Sequence, residues 1–189
     1  MKMIHYRNIL EVSPDLQECV RCWRNSKHIR HNMNSSEIIS EEEHLRWISF
    51  LRKNPERQIV RLAFKEEDPF GVITLKDIDR RASRSDWGMY IGKADSLGQG
   101  YSKIMLYDLL TWAFEEEQLS RLYTSVLADN TKAMILYLNF NFHIEGRFEK
   151  HIRRESGDFV DVYWFALFSK KWFESKEYLM RKFLPLTNE

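Results

Sequence analysis

The chain has 189 residues, 43% hydrophobic and 30% charged, with 29 basic residues against 28 acidic ones and a formal charge of +1. That length suits one domain with a core that needs no staples, and the near-zero charge argues against nucleic-acid binding by bulk electrostatics. No stretch approaches the ~18 apolar residues of a membrane span, two cysteines make no disulfide framework, and the first residues lack the apolar run of a signal peptide, so a reducing cytoplasm is the expected location.

From the N terminus, Ser13-Pro14-Asp15 is a helix cap with proline at the first helical position. Leu16, Val20 and Trp23 follow at helical spacing. Ser40 to Glu43 is a capping box. The helix it opens carries His44, Trp47, Ile48 and Leu51 on one side. Apolar runs at 59–64 and 71–75 flank a polar turn at 65–69 and read as an antiparallel hairpin. Residues 77–84 read as an exposed loop, and 87–91 as the next strand. A helix should start near Gly100 and run to about Glu116, burying Leu106, Leu109, Leu110 and Phe114. A strand at 122–127, a helix at about 131–139, and strands at 142–148 and 159–168 complete the series. The tail from Lys170 has Trp172, Phe173, Leu179 and Phe183 at helical intervals. It is expected to pack on the domain or on a neighbour, as in a homodimer. The order predicts a mixed α/β sheet, neither a full Rossmann alternation nor a barrel.

The most informative stretch runs from Met89-Tyr90-Ile91 through Gly98-Gln99-Gly100-Tyr101-Ser102. A strand enters a glycine-containing loop that opens a helix. Unpaired N–H groups and the macrodipole at such a helix start favour an anion, so the segment can cradle a diphosphate. The same pattern also suits an ordinary strand–turn–helix junction. It is not a P-loop, since no Gly-Lys-Ser/Thr follows, nor a dinucleotide fingerprint. Next, Ser125 to Tyr137 reads as a strand end, an Asp129-Asn130 turn and a helix. Tyr137 lies seven residues after Asn130, about two turns on along the same face. Its phenol could protonate a departing thiolate; alone, it also reads as a core tyrosine with a satisfied hydroxyl.

Together, strand–Gly98-Gln99-Gly100–helix and strand–Asn130-x-x-Ala133-x-x-x-Tyr137 resemble the GCN5-related N-acetyltransferase (GNAT) family. So does the ending from Tyr137 through Phe142 to Glu145-Gly146-Arg147. The resemblance spans Arg7 to about Trp172. It implies a six- or seven-stranded mixed sheet, splayed between strands 4 and 5 and flanked by helices. On that reading 1–170 is the acetyltransferase domain and 171–189 a helical tail. Acetyl-CoA is the implied cosubstrate, bound by Met89, Tyr90, Ile91, Gly98, Gln99, Gly100, Tyr101, Ser102, Asn130, Ala133 and Tyr137. Leu97 and Ser102 depart from the family's loop, though backbone donors survive both changes. Asn141 replaces a usual glycine but tolerates a left-handed turn.

Within the family, Trp23-Arg24-Asn25, His44-x-x-Trp47 and the segment from Phe159 to Val162 resemble acetyltransferases of pseudaminic acid biosynthesis. Those enzymes acetylate the 4-amino group of UDP-4-amino-4,6-dideoxy-N-acetyl-β-L-altrosamine. The same segments resemble ribosomal-protein N-terminal and spermidine acetyltransferases, and a non-catalytic CoA-binding module is a third class. The resemblance makes Tyr137 the acid. Trp23, Arg24, Asn25, His44, Lys76 and Ser125 are the candidate contacts for a nucleotide-sugar substrate, with His44 also a proton relay or simply a helix histidine packed under Trp47, Lys76 also suited to a solvated loop, and Ser125 at a strand position where relatives can carry an acid. Arg24 and Asn25 equally suit a solvated helix end. Asp161 is expected to pair structurally with Arg147. Cys19 and Cys22 have CxxC spacing, but no second pair or histidine cluster completes a metal site, so no metal is expected.

Overall fold

Both predicted serine caps form, and they fix one layer of the molecule. In this computed structural model, which describes residues 4–184, Ser13 opens α1 (Pro14–Asn25), its side chain accepting from the Leu16 N–H. Ser40 and Glu43 close a reciprocal capping box on α3 (Glu41–Lys53). Between them the sequence reading missed a single helical turn, α2 (Lys27–Arg30). Four residues are too few to show a period.

The strands are β1 (Ile4–Asn8), β2 (Ile59–Lys65), β3 (Asp68–Asp79), β4 (Arg84–Ile91), β5 (Arg121–Leu127), β6 (His143–Arg153) and β7 (Phe159–Phe168). They form one seven-stranded sheet in the order β1-β2-β3-β4-β5-β7-β6. β1 was not foreseen: it is a five-residue edge strand, half-buried throughout, and it exists by pairing with β2. The stretch 77–84 is shorter as a loop than expected, because β3 runs on to Asp79.

Only β4 and β5 are parallel, and their pairing covers Arg84 to Asp86 against Arg121 to Tyr123. Beyond Asp86 the strands part, which is the splay that the resemblance implied. Each face of the sheet then has its own core. α1 and α3 cover one with Val20, Trp23, Ile48 and Leu51 against Val60, Leu62 and Val72. The other buries Leu106, Leu109 and Leu110 of α4 (Tyr101–Thr111) against Ile73, Leu75, Trp87 and Phe165. After α4 the chain makes a π-helical turn at Trp112–Glu116 instead of the continuous helix expected.

α5 (Thr131–Asn139) enters under an Asn130 cap and leaves through Asn141 at φ 63°, the left-handed turn foreseen there. The tail forms α6 (Ser169–Phe183), which buries Trp172 and Leu179 in the same core as α4. Phe173, expected to pack, is half exposed, and 185–189 lie outside the described residues. Arg147 pairs with Asp161, its Nε 2.9 Å from Oδ2. Among the described residues no helix is long and apolar enough to cross a membrane, and no His, Cys, Asp and Glu cluster could hold a metal.

Candidate active site

A cleft of about 950 Å³ runs through the splay and is lined from both faces of the sheet. Its floor is β4 from Trp87 to Ile91 and β5 from Thr124 to Val126. Successive backbone N–H groups of a strand point to opposite edges. Gly92 donates to Phe70 on the β3 side at 2.7 Å, whereas the Trp87 carbonyl accepts from β5. The N–H of Met89, two residues from Trp87, therefore points into the gap. A strand without a neighbour at that point presents a naked donor to whatever fills the cleft.

On the α4 side, Gly98 and Gly100 have φ of 74° and 86°. A Cβ at either would meet nothing within 4 Å, so glycine serves the left-handed bend here rather than close packing. Gly100 caps α4 without any side-chain acceptor, leaving the first turn open to an anion, and Ser102 and Lys103 line the cleft beside it. Two of the residues expected to hold the cosubstrate can do so only through backbone. The Tyr101 side chain is buried against Phe70, with ring centroids 4.7 Å apart, and the Gln99 amide donates to the Asp95 carbonyl at 2.7 Å.

Asn130, through Oδ1, accepts from the Ala133 N–H at 3.3 Å. The cap aims α5 so that Tyr137 enters the cleft from beneath. Trp87 (4.9 Å), Phe165 (5.6 Å) and Phe142 (5.7 Å) enclose its ring. Burial pushes the phenol well above its ordinary pKa, and Asp86 adds in the same direction. No hydrogen bond from another described residue engages its hydroxyl, which leaves it available to the cleft.

The opposite side of the cleft is built by α1, α2 and α3. His44 is buried, tilted against Trp47 at 5.5 Å, and its Nε2 has no partner. Burial lowers its pKa, while Glu18 and a hydrogen bond with the Gln17 backbone pull the other way. Arg24 donates to the Ser35 carbonyl at 2.9 Å and leaves Nη1 buried without a partner. Lys76 pairs with Asp86 at 2.9 Å. Residues 31–36 bridge the cleft: Asn34 donates to Ser125 at 3.1 Å, His31 meets Arg154 at 3.0 Å, and Ser36 donates to Glu155 at 3.1 Å.

Two expected substrate residues are not on the cleft. Trp23 is a core residue: its indole lies flat on Gly92, where an added Cβ would come within 2.1 Å of the ring. Asn25 clasps Ile39, donating to its carbonyl and accepting from its N–H, both at 2.8 Å. It anchors the bridging segment, not a ligand. Conversely, the sequence reading missed His28, Trp87 and Asp86. His28 and Trp87 line the cleft. Asp86 is a carboxyl whose pKa burial raises despite Lys76. Its place in β4, outside the assumed strand, hid it.

Residues 7–143 match the acetyltransferase (GNAT) domain family. Acetyltransferase PseH of Campylobacter jejuni subsp. jejuni serotype O:23/36 (strain 81-176) is 30% identical over 142 residues, covering 75% of this chain and 86% of that protein. The crystal structure of Campylobacter jejuni PseH in complex with acetyl coenzyme A superposes with a TM-score of 0.64 at 25% identity, over 88% of this chain and 99% of that one. Spermidine N-acetyltransferase from Vibrio cholerae, in complex with CoA and spermine, superposes with a TM-score of 0.79 at 17% identity, over 90% of this chain and 98% of that one. At that identity the likeness is one of fold.

Proposed function

Because this chain belongs to the GNAT acetyltransferases, with acetyl-CoA as the acetyl donor, we propose that it acetylates the 4-amino group of a UDP-amino sugar of the pseudaminic acid pathway. The charge of the cleft carries the choice of acceptor. Among the described residues, Arg21, Arg24, Lys76, Lys103 and Lys132 line it against one carboxylate, Glu43, with Trp47 and Tyr90 among its aromatics. Arg21 and Lys76 are matched by Glu18 and Asp86, whereas Arg24, which lines the cleft together with His28, has no carboxylate partner among the described residues. A polyamine needs carboxylates; a nucleotide diphosphate needs cations and flat rings. The spermidine enzyme's higher TM-score speaks for a shared backbone, whereas the greater identity to PseH and the cleft charge speak for an anionic acceptor.

The residues fit the cosubstrate. The uncapped α4 start and its left-handed glycines suit a diphosphate, and the gap in the sheet leads from there to Tyr137. Acetyl-CoA supplies an activated thioester. The Met89 N–H is placed to stabilise negative charge building on the acetyl oxygen, a contribution of about 3 kcal/mol. Tyr137, protonated at any physiological pH, donates to the leaving sulfur. His44, held neutral by burial, accepts or relays the proton of the amine. Neutralising a lysine-like amine of pKa ~10.4 at pH 7 costs ~4.6 kcal/mol, whereas a sugar amine near pKa ~8 costs only ~1.4 kcal/mol. A weak relay therefore suffices.

A panel of UDP-4-amino sugar, spermidine and short peptides, each with acetyl-CoA and read by CoA release, tests the acceptor. The expected outcome is turnover of the nucleotide sugar at least a hundredfold above the others. Preference for spermidine would overturn the acceptor while leaving the acetyltransferase standing.

A further inference from the structure

The β4–β5 ladder ends at the pair Asp86 and Tyr123, so the next position on each strand is Trp87 and Thr124. There a side chain takes over from the backbone. Thr124 Oγ1 donates to the Trp87 carbonyl at 3.0 Å, and Thr124 itself is 6% exposed. This bond sits at the apex of the splay. Past it β4 is held only from the β3 side.

Two groups depend on where Trp87 is held. The Met89 N–H lies two residues further along the same strand edge, so its direction follows the Trp87 peptide. The Tyr137 ring meets the Trp87 indole edge-on at 4.9 Å. One hydroxyl thus fixes the strand segment that carries the carbonyl donor and the ring that backs the acid. The α4 cradle, by contrast, is built from Gly98, Gly100 and the helix start, on a different element from Thr124.

We infer that Thr124 is a positioning residue: its hydroxyl pins the apex of the splay, setting the Met89 amide and the Tyr137 phenol relative to one another. The inference rests on the reading that Met89 and Tyr137 act on the thioester. A valine here keeps the shape and removes the bond, and a serine keeps the bond. In the full-length enzyme Thr124→Val is expected to lower kcat at least tenfold while the KM for acetyl-CoA moves less than threefold. Thr124→Ser should stay within threefold of the parent.

Hydrogen exchange supplies a readout that needs no acceptor. The segment 87–91 should exchange at least threefold faster in Thr124→Val, return to the parent rate in Thr124→Ser, and leave β2 unchanged in both. Unaltered exchange in the valine variant overturns the pin. Faster exchange with undiminished kcat overturns the positioning role. A parallel rise in acetyl-CoA KM that serine does not rescue reduces Thr124 to a structural residue and also overturns it. Should the valine variant fail to fold, Thr124→Ala against Thr124→Ser makes the same comparison. Tyr137→Phe separates the two levels: full activity there sinks the mechanism, while the exchange result still decides the pin.

Discussion

Tyr137 combines a buried phenol with a hydroxyl that no side chain among the described residues engages, and its chemistry follows from that combination. Desolvation penalises phenolate, so the group stays protonated across the working range; the same dry cleft disfavours a free thiolate, which is what draws the phenol's proton to the departing sulfur. Tyr137→Phe should therefore leave acetyl-CoA affinity, measured by calorimetry, within threefold and cut kcat by roughly 10²–10⁴, the usual worth of a positioned acid. His44 sets a second expectation. Its pKa lies below the ordinary 6.5 because burial disfavours the imidazolium. The basic form is present above that value and is lost as pH falls through it. In kcat against pH at saturating acceptor, the acid limb assigned to His44 should then fall below pH 6.5, and His44→Ala should abolish that limb. A limb unchanged in the alanine variant removes His44 from the proton path. Tyr137 was legible as a candidate because its spacing from Asn130 is local. The role of Trp87, which backs it, was not, since that contact spans fifty residues of chain.

Among the elements, β1 is tied to α4 by a half-buried bond, the Tyr6 hydroxyl donating to Asp108 Oδ2 at 2.8 Å. Desolvation raises the Asp108 pKa from 3.8 to about 6, and no cation on either element offsets it. The folded state thus holds this proton more tightly than the unfolded chain. Stability from that term is greatest below pH 4 and is lost as pH rises through about 6. Asp108→Asn keeps an acceptor for Tyr6 and removes the charge. It should raise Tm by several degrees at pH 7.5 and by little at pH 4.5, as thermal unfolding at both pH values would show. The caps of α1 and α3 were legible because each is decided within four residues. α2 and β1 were not: one is a single turn and the other gains its bonds from a strand more than fifty residues away.

For the whole molecule, a chain of net charge +1 concentrates cations around one cleft, and that unevenness governs what enters it. An anionic acceptor should be drawn in by a field that salt screens, with a Debye length of about 10 Å at 0.1 M falling to about 3 Å at 1 M. Its KM should rise severalfold between low and high salt, measured with kcat held as a control. A KM that falls with salt would instead mark a cationic acceptor. The bridge of residues 31–36 belongs to this scale too, joining the helical layer to β5 and the β6–β7 turn through Asn34, Ser36 and His31.

Sequence alone determined the caps of α1 and α3, the glycine-containing turn ahead of α4, the Asn130–Tyr137 spacing and the alternation of strands and helices. Each depends on dihedral limits and hydrogen bonds that close within a turn or two of chain. Tertiary structure alone decided which polar residues face the cleft. Trp23 and Asn25 resemble ligand contacts on the page, yet Gly92 and Ile39 claim them. Asp86, His28 and Thr124 drew no notice, yet they lie in or beside the gap between β4 and β5. That gap is a property of two strands brought together from thirty-seven residues apart and released after three pairs, and no local pattern encodes where such a release falls.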